Sequence, residues 1–247
     1  MHWVNVRPSE GVILDLGTRH ATLENLLNAV KGKYGAILID PPWRFSNRTG
    51  KVGPEHKRLH RYETMSFDDI AALPVRELAL PKSHLYLWSP NALLLEALTT
   101  MRAWGFTYKT NVVWYKVRKD GGPDGRGVGF YFRNVTELLL FGTRGKLRTL
   151  QPGRSQVNVL ISRKEEHSKK PDQVYDLIQR CSPGPYLELF ARSRVKGWTQ
   201  WGDELGTYEP PPFKAYAWTT SQDRSNSSPG RLEAAGNLQR HPRLFLE

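Results

Sequence analysis

Six consecutive residues without a charge, Tyr34-Gly35-Ala36-Ile37-Leu38-Ile39, broken off by Asp40-Pro41-Pro42-Trp43, set the tightest limit on how this chain can fold. An apolar run with no polar alternation reads as a strand buried on both faces, the kind found in a parallel sheet with helices on either side. Two prolines in a row cannot continue a central strand. The four residues therefore stand at its carboxyl end, where open α/β sheets bind ligands. The prolines also remove two backbone donors, leaving the Asp40 carboxylate and nearby carbonyls as a cluster of acceptors with an indole beside it. Such a cluster suits a planar group carrying an NH2. The bland alternative is a Pro-Pro that merely ends a strand and a Trp43 that fills core.

The 247 residues suffice for one large α/β domain, or one domain with a tail. No stretch approaches the roughly 18 to 20 apolar residues of a membrane span, and the amino terminus lacks a signal-peptide pattern. The expectation is a soluble cytoplasmic protein without membrane contact. The single cysteine, Cys181, falls in a predicted helix and reads as a buried structural thiol, with no disulfide framework or cysteine metal site. Lys plus Arg number 36 against 24 Asp plus Glu, a formal charge of +12 that favours a polyanionic partner. Basic residues crowd two predicted loops, Arg44 to Arg61 and Arg163 to Lys170. His56 and His60 are spaced as zinc ligands on a helix, but no Glu stands between them and no third ligand is evident, so no metal is expected.

The elements follow in a strand-and-helix rhythm. Residues 1–30 hold a possible strand, Gly11 to Leu16, and a short helical pattern, Leu23-Leu26-Leu27-Val30, and are read as an N-terminal extension. Ser66-Phe67-Asp68-Asp69 predicts a capped helix that ends before Pro74. Ser83 to Trp88 predicts a strand. Asn91 is expected to cap an amphipathic helix through Leu94, Leu95, Leu98 and Met101, with Gly105 as the stop, and Phe106 to Val117 is the next strand. Strand, helix, strand implies a parallel crossover. Gly125-Arg126-Gly127-Val128-Gly129 lacks the GxGxxG spacing and precedes Phe130-Tyr131-Phe132 rather than a helix, so it reads as a loop. Further strands are expected at Asn134 to Phe141 and Val157 to Ile161. Pro171 is placed at the first position of a helix whose buried face is Val174, Leu177 and Ile178.

Tyr186 to Phe190 and Trp198 to Trp201 predict two more strands. The first runs into Arg192-Ser193-Arg194 and the second into Gly202-Asp203-Glu204. From residue 207 to 247 prolines and polar residues dominate, as in a largely disordered tail. One strand end thus carries an acceptor cluster, and another carries Glu188, Arg192, Arg194, Asp203 and Glu204. Two adjacent pockets in a doubly wound α/β sheet follow, and with them a reaction between two bound molecules.

Several motifs then fall in a familiar order. They are Asp40-Pro41-Pro42-Trp43, Tyr62-Glu63-Thr64-Met65-Ser66, Leu85-Tyr86-Leu87-Trp88, Trp104-Gly105-Phe106, Val113-Trp114-Tyr115-Lys116, and Arg133-Asn134 with Glu137. His167-Ser168-Lys169-Lys170-Pro171-Asp172, Glu188-Leu189-Phe190-Ala191-Arg192 and Trp198 through Glu204 complete the series. With them the stretch from about Lys33 to Glu204 resembles the adenine-N(6) methyltransferases typified by the catalytic subunit of the eukaryotic messenger-RNA methylation complex, above all their bacterial and phage branch. The resemblance implies a doubly wound, mostly parallel, Rossmann-like methyltransferase sheet with helices on both faces over residues 31–206. It also implies an S-adenosylmethionine donor and the β-type order, in which the tetrapeptide precedes the cofactor-binding strand.

The resemblance further implies that Asp40, Pro41, Pro42 and Trp43 are catalytic. Adenine's exocyclic amine is a poor nucleophile because its lone pair is delocalised into the ring. The Asp40 carboxylate and the Pro41 carbonyl, each accepting one N–H, would free that pair for in-line attack on a sulfonium methyl. Trp43 would stack on the base, an interaction worth roughly 1 to 3 kcal/mol. By the same carry-over Tyr62 and Glu137 hold the adenine, and Lys170 stands nearby or on the methionine carboxylate. Asp40 also borders the cofactor, Glu188 accepts from its ribose hydroxyls, and Arg192, Arg194, Asp203 and Glu204 complete that pocket.

Two positions depart from the family pattern. Asp203 stands where Asn is usual and can only accept hydrogen bonds, and Arg194 occupies a variable position. The expected substrate is adenine in nucleic acid, DNA by analogy with the bacterial branch, flipped out of its stack if paired. An RNA adenine methyltransferase and a non-catalytic nucleic-acid-binding subunit are the alternatives.

Overall fold

A computed structural model describes residues 13–14, 23–45, 64–125, 131–163, 169–202 and 205. Among them are eight strands: β1 (Ile13–Leu14), β2 (Tyr34–Ile39), β3 (Ala79–Ser89), β4 (Thr107–Val117), β5 (Thr136–Arg144), β6 (Val159–Arg163), β7 (Tyr186–Leu189) and β8 (Trp198–Trp201). They form one sheet in the order β1-β8-β7-β2-β3-β5-β4-β6. The described α-helices are α1 (Leu23–Ala29), α2 (Phe67–Ala71), α3 (Val75–Leu78), α4 (Leu94–Ala103) and α5 (Gln173–Cys181).

β2 is buried along its whole length, as its uninterrupted apolar run requires. Its side chains alternate between two cores. Ile37 and Ile39 pack with Leu26 and Val30, with Ile70 of α2, Val75 of α3, and Ala97 and Met101 of α4. Ala36 and Leu38 face the other way, with Tyr86, Trp88 and Leu139, onto Val174, Tyr175, Leu177, Ile178 and Cys181 of α5. Helices thus cover both faces, and each fully buried Ile or Leu of β2 contributes about 1.5 to 3 kcal/mol. Gly35 is obligatory for packing: a Cβ there would lie 2.5 Å from the carbonyls of Pro183 and Gly184.

All the strand pairings are parallel except those of β5, which runs antiparallel to both β3 and β4. β3, α4 and β4 do make a parallel crossover, but β5 slots between the two strands. The chain leaves β2 toward β3 on one side and later returns to β7 on the other. The order therefore reverses at β2 and β7, which opens a crevice beyond their carboxyl ends.

Most expected elements are present, with local corrections. Ser66 caps α2 as its sequence suggests, accepting from the Asp69 amide at 3.1 Å. Asn91 does not cap α4. It begins a 3-10 turn, Asn91–Leu93, and its amide donates to the carbonyl and hydroxyl of Thr136, both at 3.2 Å, tying the start of β5 to the β3–α4 turn. Pro171 lies outside α5, which starts at Gln173, because the preceding turn closes onto the carbonyls of Pro171 and Asp172. Gly105, at φ +80°, ends α4 region as expected. Of the expected strand Gly11 to Leu16, Ile13–Leu14 is described and pairs with β8. His56, His60 and the tail 207–247 lie outside the described residues. Among the described residues no helix is long and apolar enough to cross a membrane, and no group of three or more His, Cys, Asp or Glu could hold a metal ion.

Candidate active site

The crevice between β2 and β7 is lined by Asp40, Lys169, Lys170, Asp172, Tyr175, Glu188, Phe190, Arg192 and Ser193, over an apolar wall of Leu38, Trp88 and Val174. The two loaded strand ends are thus neighbours in one cleft. Asp40 follows β2 directly. Phe190 follows β7 with φ 63°, a left-handed conformation that a bulky residue adopts at a cost of order 1 to 3 kcal/mol. Gly202 makes the bend possible. A Cβ there would meet the backbone of Ala191 at 2.4 Å, and Ala191 N–H donates to the Trp201 carbonyl at 3.0 Å. The turn after β7 is thereby held against the end of β8.

Four charged side chains form a chain across the cleft edge. Lys170 donates to Asp40 Oδ2 at 2.9 Å and lies 3.0 Å from Glu137 Oε1, while Lys116 donates to Glu137 Oε2 at 2.8 Å. Two indoles underlie the cations. Lys170 sits 5.4 Å from the centre of the Trp88 ring and Lys116 4.4 Å from that of Trp114, and the two rings meet edge to face. Burial pushes the Glu137 carboxyl up, but the Lys170 and Lys116 ammonium groups together outweigh it and hold the carboxyl at about 2. Burial also disfavours the Lys170 ammonium, and Asp40 and Glu137 more than offset this, so its pKa is raised. Glu137 is an anion flanked by cations, and Lys170 is a cation shared by two carboxylates.

Glu188 is in a different state. Its carboxylate accepts from Tyr175 Oη at 3.0 Å and from Gln200 Nε2 at 2.6 Å, and it is buried. Burial raises its pKa to about 7, although the Gln200 and Tyr175 hydrogen bonds pull downward. Gln200 is itself fixed by the backbone around it, donating to Ser193 O at 2.6 Å and accepting from Val195 N–H at 2.7 Å.

The structure brings together Asp40, Glu137, Lys170, Glu188 and Arg192 from the sequence expectations. It places others apart. Trp43 is only 7% exposed and belongs to the core on the α4 side, with its Nε1–H donating to Trp88 O at 3.0 Å. Pro41 O accepts from Trp43 N–H at 2.8 Å, so one of its two lone-pair directions is in use. Pro42 O accepts from Met65 N–H at 3.0 Å, fixing the tetrapeptide to the segment before α2. Arg194 is exposed and does not line the cleft. Tyr62, Asp203 and Glu204 lie outside the described residues.

Sequence reasoning passed over Lys116, Tyr175 and Gln200 as site residues. Lys116 and Gln200 carried a signal, a polar group at the end of or within an aromatic strand, in Trp114-Tyr115-Lys116 and Trp198-Thr199-Gln200-Trp201. Tyr175 carried none, since it falls on the apolar face of α5.

Comparison with known proteins fits this geometry. The MT-A70 family model matches residues 34–204, most of the chain. A Mycoplasma protein named Type II methyltransferase M.MunI is 28% identical over 189 residues, covering 70% of this chain and 78% of its own length. A Medicago truncatula protein named Putative N(6)-adenosine-methyltransferase MT-A70-like is 28% identical over 74% of this chain but only 28% of its own length. The human N(6)-adenosine-methyltransferase catalytic subunit METTL3 is 25% identical over 72% of this chain and 29% of its own. The chain thus spans under a third of these plant and human relatives.

Proposed function

Because the chain belongs to the MT-A70 family, we propose that it transfers a methyl group to the exocyclic amine of adenine in nucleic acid. The observation that carries this reading is the placement of Asp40, at the carboxyl end of β2, within one cleft that also holds Lys170 and Glu188, with Glu137 ion-paired to Lys170 beside it. DNA is the proposed carrier of the adenine, since the chain matches a larger share of the Type II methyltransferase relative than of the eukaryotic ones.

The donor set fits S-adenosylmethionine. A carboxylate on the floor of the cleft suits ribose hydroxyls, and Lys170 and Arg192 suit a carboxylate. Bound there, the cofactor would supply an electrophilic methyl on a sulfonium. The protein's part is acceptance and orientation. Asp40 and the second lone pair of Pro41 O would each take one N–H of the amine, loosening its lone pair from the ring. Lys170 holds Asp40 Oδ2, and Oδ1 would accept the amine proton that is released. Glu137, kept anionic between two lysines, can accept from the adenine edge. Trp43, with its ring in the core, anchors the tetrapeptide by donating to Trp88 O.

The test is transfer of labelled methyl from S-adenosylmethionine to adenine-containing DNA and RNA, with Asp40→Ala beside the wild type. Incorporation that depends on Asp40 supports the reading, and equal incorporation by the variant contradicts it.

A further inference from the structure

The end of the sheet that carries Asp40 is also the end at which β5 begins, and just before β5 two adjacent aromatic side chains are presented to solvent. Tyr131 is 94% exposed and Phe132 84% exposed. Single exposed apolar residues are ordinary on protein surfaces, but two consecutive large rings left almost wholly in solvent are not. We propose that Tyr131 and Phe132 form a stacking platform for the unpaired bases that flank the target adenine. The proposal rests on the nucleic-acid methyltransferase reading and specifies how its substrate is presented.

Placement is the first support. β5 runs antiparallel to β3 and β4, so its amino end lies at the carboxyl ends of the parallel strands, on the side of Asp40. The entry to β5 is pinned there. Lys116 N–H donates to Val135 O at 2.8 Å, Asn91 holds Thr136, and Glu137 joins the charged chain to Asp40. Phe132 precedes Val135 by a few residues, a reach of about 10 Å even if fully extended. The rings therefore stand at the same end of the sheet as Asp40 and the cleft.

Chemistry is the second. Arg133, exposed, follows the rings in sequence, and the same end of the sheet carries exposed Lys119 in the turn after β4 and exposed Arg163 at the end of β6. Aromatic faces interleaved with cations suit a strand whose bases stack while its phosphates meet Lys and Arg. The +12 charge of the chain points to the same partner. A base inside an intact duplex has both faces covered by its neighbours. A platform of this kind is therefore served by a single strand or by a duplex opened around the target.

The experiment uses the full chain and a fluorescently labelled single-stranded DNA oligonucleotide containing one adenine, with affinity read by anisotropy. Tyr131→Ala/Phe132→Ala is expected to weaken binding about 10- to 100-fold. The aromatic exchange Tyr131→Phe/Phe132→Tyr should retain it, and S-adenosylmethionine affinity should be the same in all three proteins. Unchanged oligonucleotide affinity in the double alanine variant overturns the platform, as does a loss that the aromatic exchange shares. A change of oligomeric state in sedimentation at unchanged oligonucleotide affinity also overturns it and assigns the rings to contact with a second copy. Methyl transfer by the wild type is measured separately. Activity with unchanged affinity in the alanine variant sinks the platform alone, whereas absent activity sinks the methyltransferase reading.

Discussion

Lys170 and Asp40, 130 positions apart in the chain, meet in a 2.9 Å ion pair at the carboxyl end of β2. The pair links the end of the β2 strand to the segment that leads into α5.

Replacing Lys170 with Met removes the cation from both Asp40 and Glu137. Hydrogen bonds to charged groups are worth about 1.5 to 3 kcal/mol, so the rate of methyl transfer is expected to fall at least about 10-fold. Arg in its place should recover part of the loss. Single-turnover kinetics check this, with calorimetry on S-adenosylmethionine to separate binding from chemistry.

Glu137 supports stability as well as the site. Its carboxyl is held at about 2 against an ordinary value of 4.5, so the folded state gains from its ionisation. That contribution is whole above about pH 4.5 and is lost as pH falls toward 2. A shift of this size corresponds to on the order of 3 kcal/mol. Glu137→Gln should abolish this acid-side slope in chemical denaturation, and it should destabilise the protein near neutrality by leaving Lys116 and Lys170 without their shared anion.

Glu188 is expected to behave in the opposite sense. Burial raises it from 4.5 to about 7, so the folded state favours its protonated form. The stability it contributes is whole below about pH 4.5 and is lost as pH rises through 7. A ligand whose hydroxyls need the ionised carboxylate should bind more tightly over the same interval. Calorimetry across pH 5.5 to 8.5, about the raised value, should show S-adenosylmethionine affinity increasing, and Glu188→Gln should flatten the profile.

Trp43→Phe keeps the ring volume near the core but removes the donor to Trp88 O. The loss should be about 1 to 3 kcal/mol, read by thermal or chemical unfolding. If the indole also stacks on a base, the variant's affinity for adenine-containing DNA should fall beyond what its stability explains. An affinity that is unchanged in a folded variant assigns Trp43 to the core.

Sequence carried the outline because its strongest signals are local. The apolar run before Asp40 specified a strand buried on both faces, and Pro41-Pro42 specified where it ends. The insertion of β5 between β3 and β4 was not legible, since Thr136–Arg144 has the same composition whichever way it points. Asn91 looked like a helix cap because its competing partner, the Thr136 backbone, is 45 residues away. Lys116 and Gln200 stood out as polar groups in aromatic strands, but their partners were not legible for a similar reason. Each gains its role from an acid on a neighbouring strand, and register between strands is not written in either segment alone. Trp43 shows the converse, as a motif residue whose ring the fold takes into the core.

The most direct measurement is mass spectrometry of nucleosides from DNA methylated by the purified chain. Wild-type protein should produce N6-methyladenine and Asp40→Asn should produce little or none while still binding S-adenosylmethionine. Methylation at another position, or equal N6-methyladenine from the Asn variant, would contradict the role given to the Asp40 end of β2.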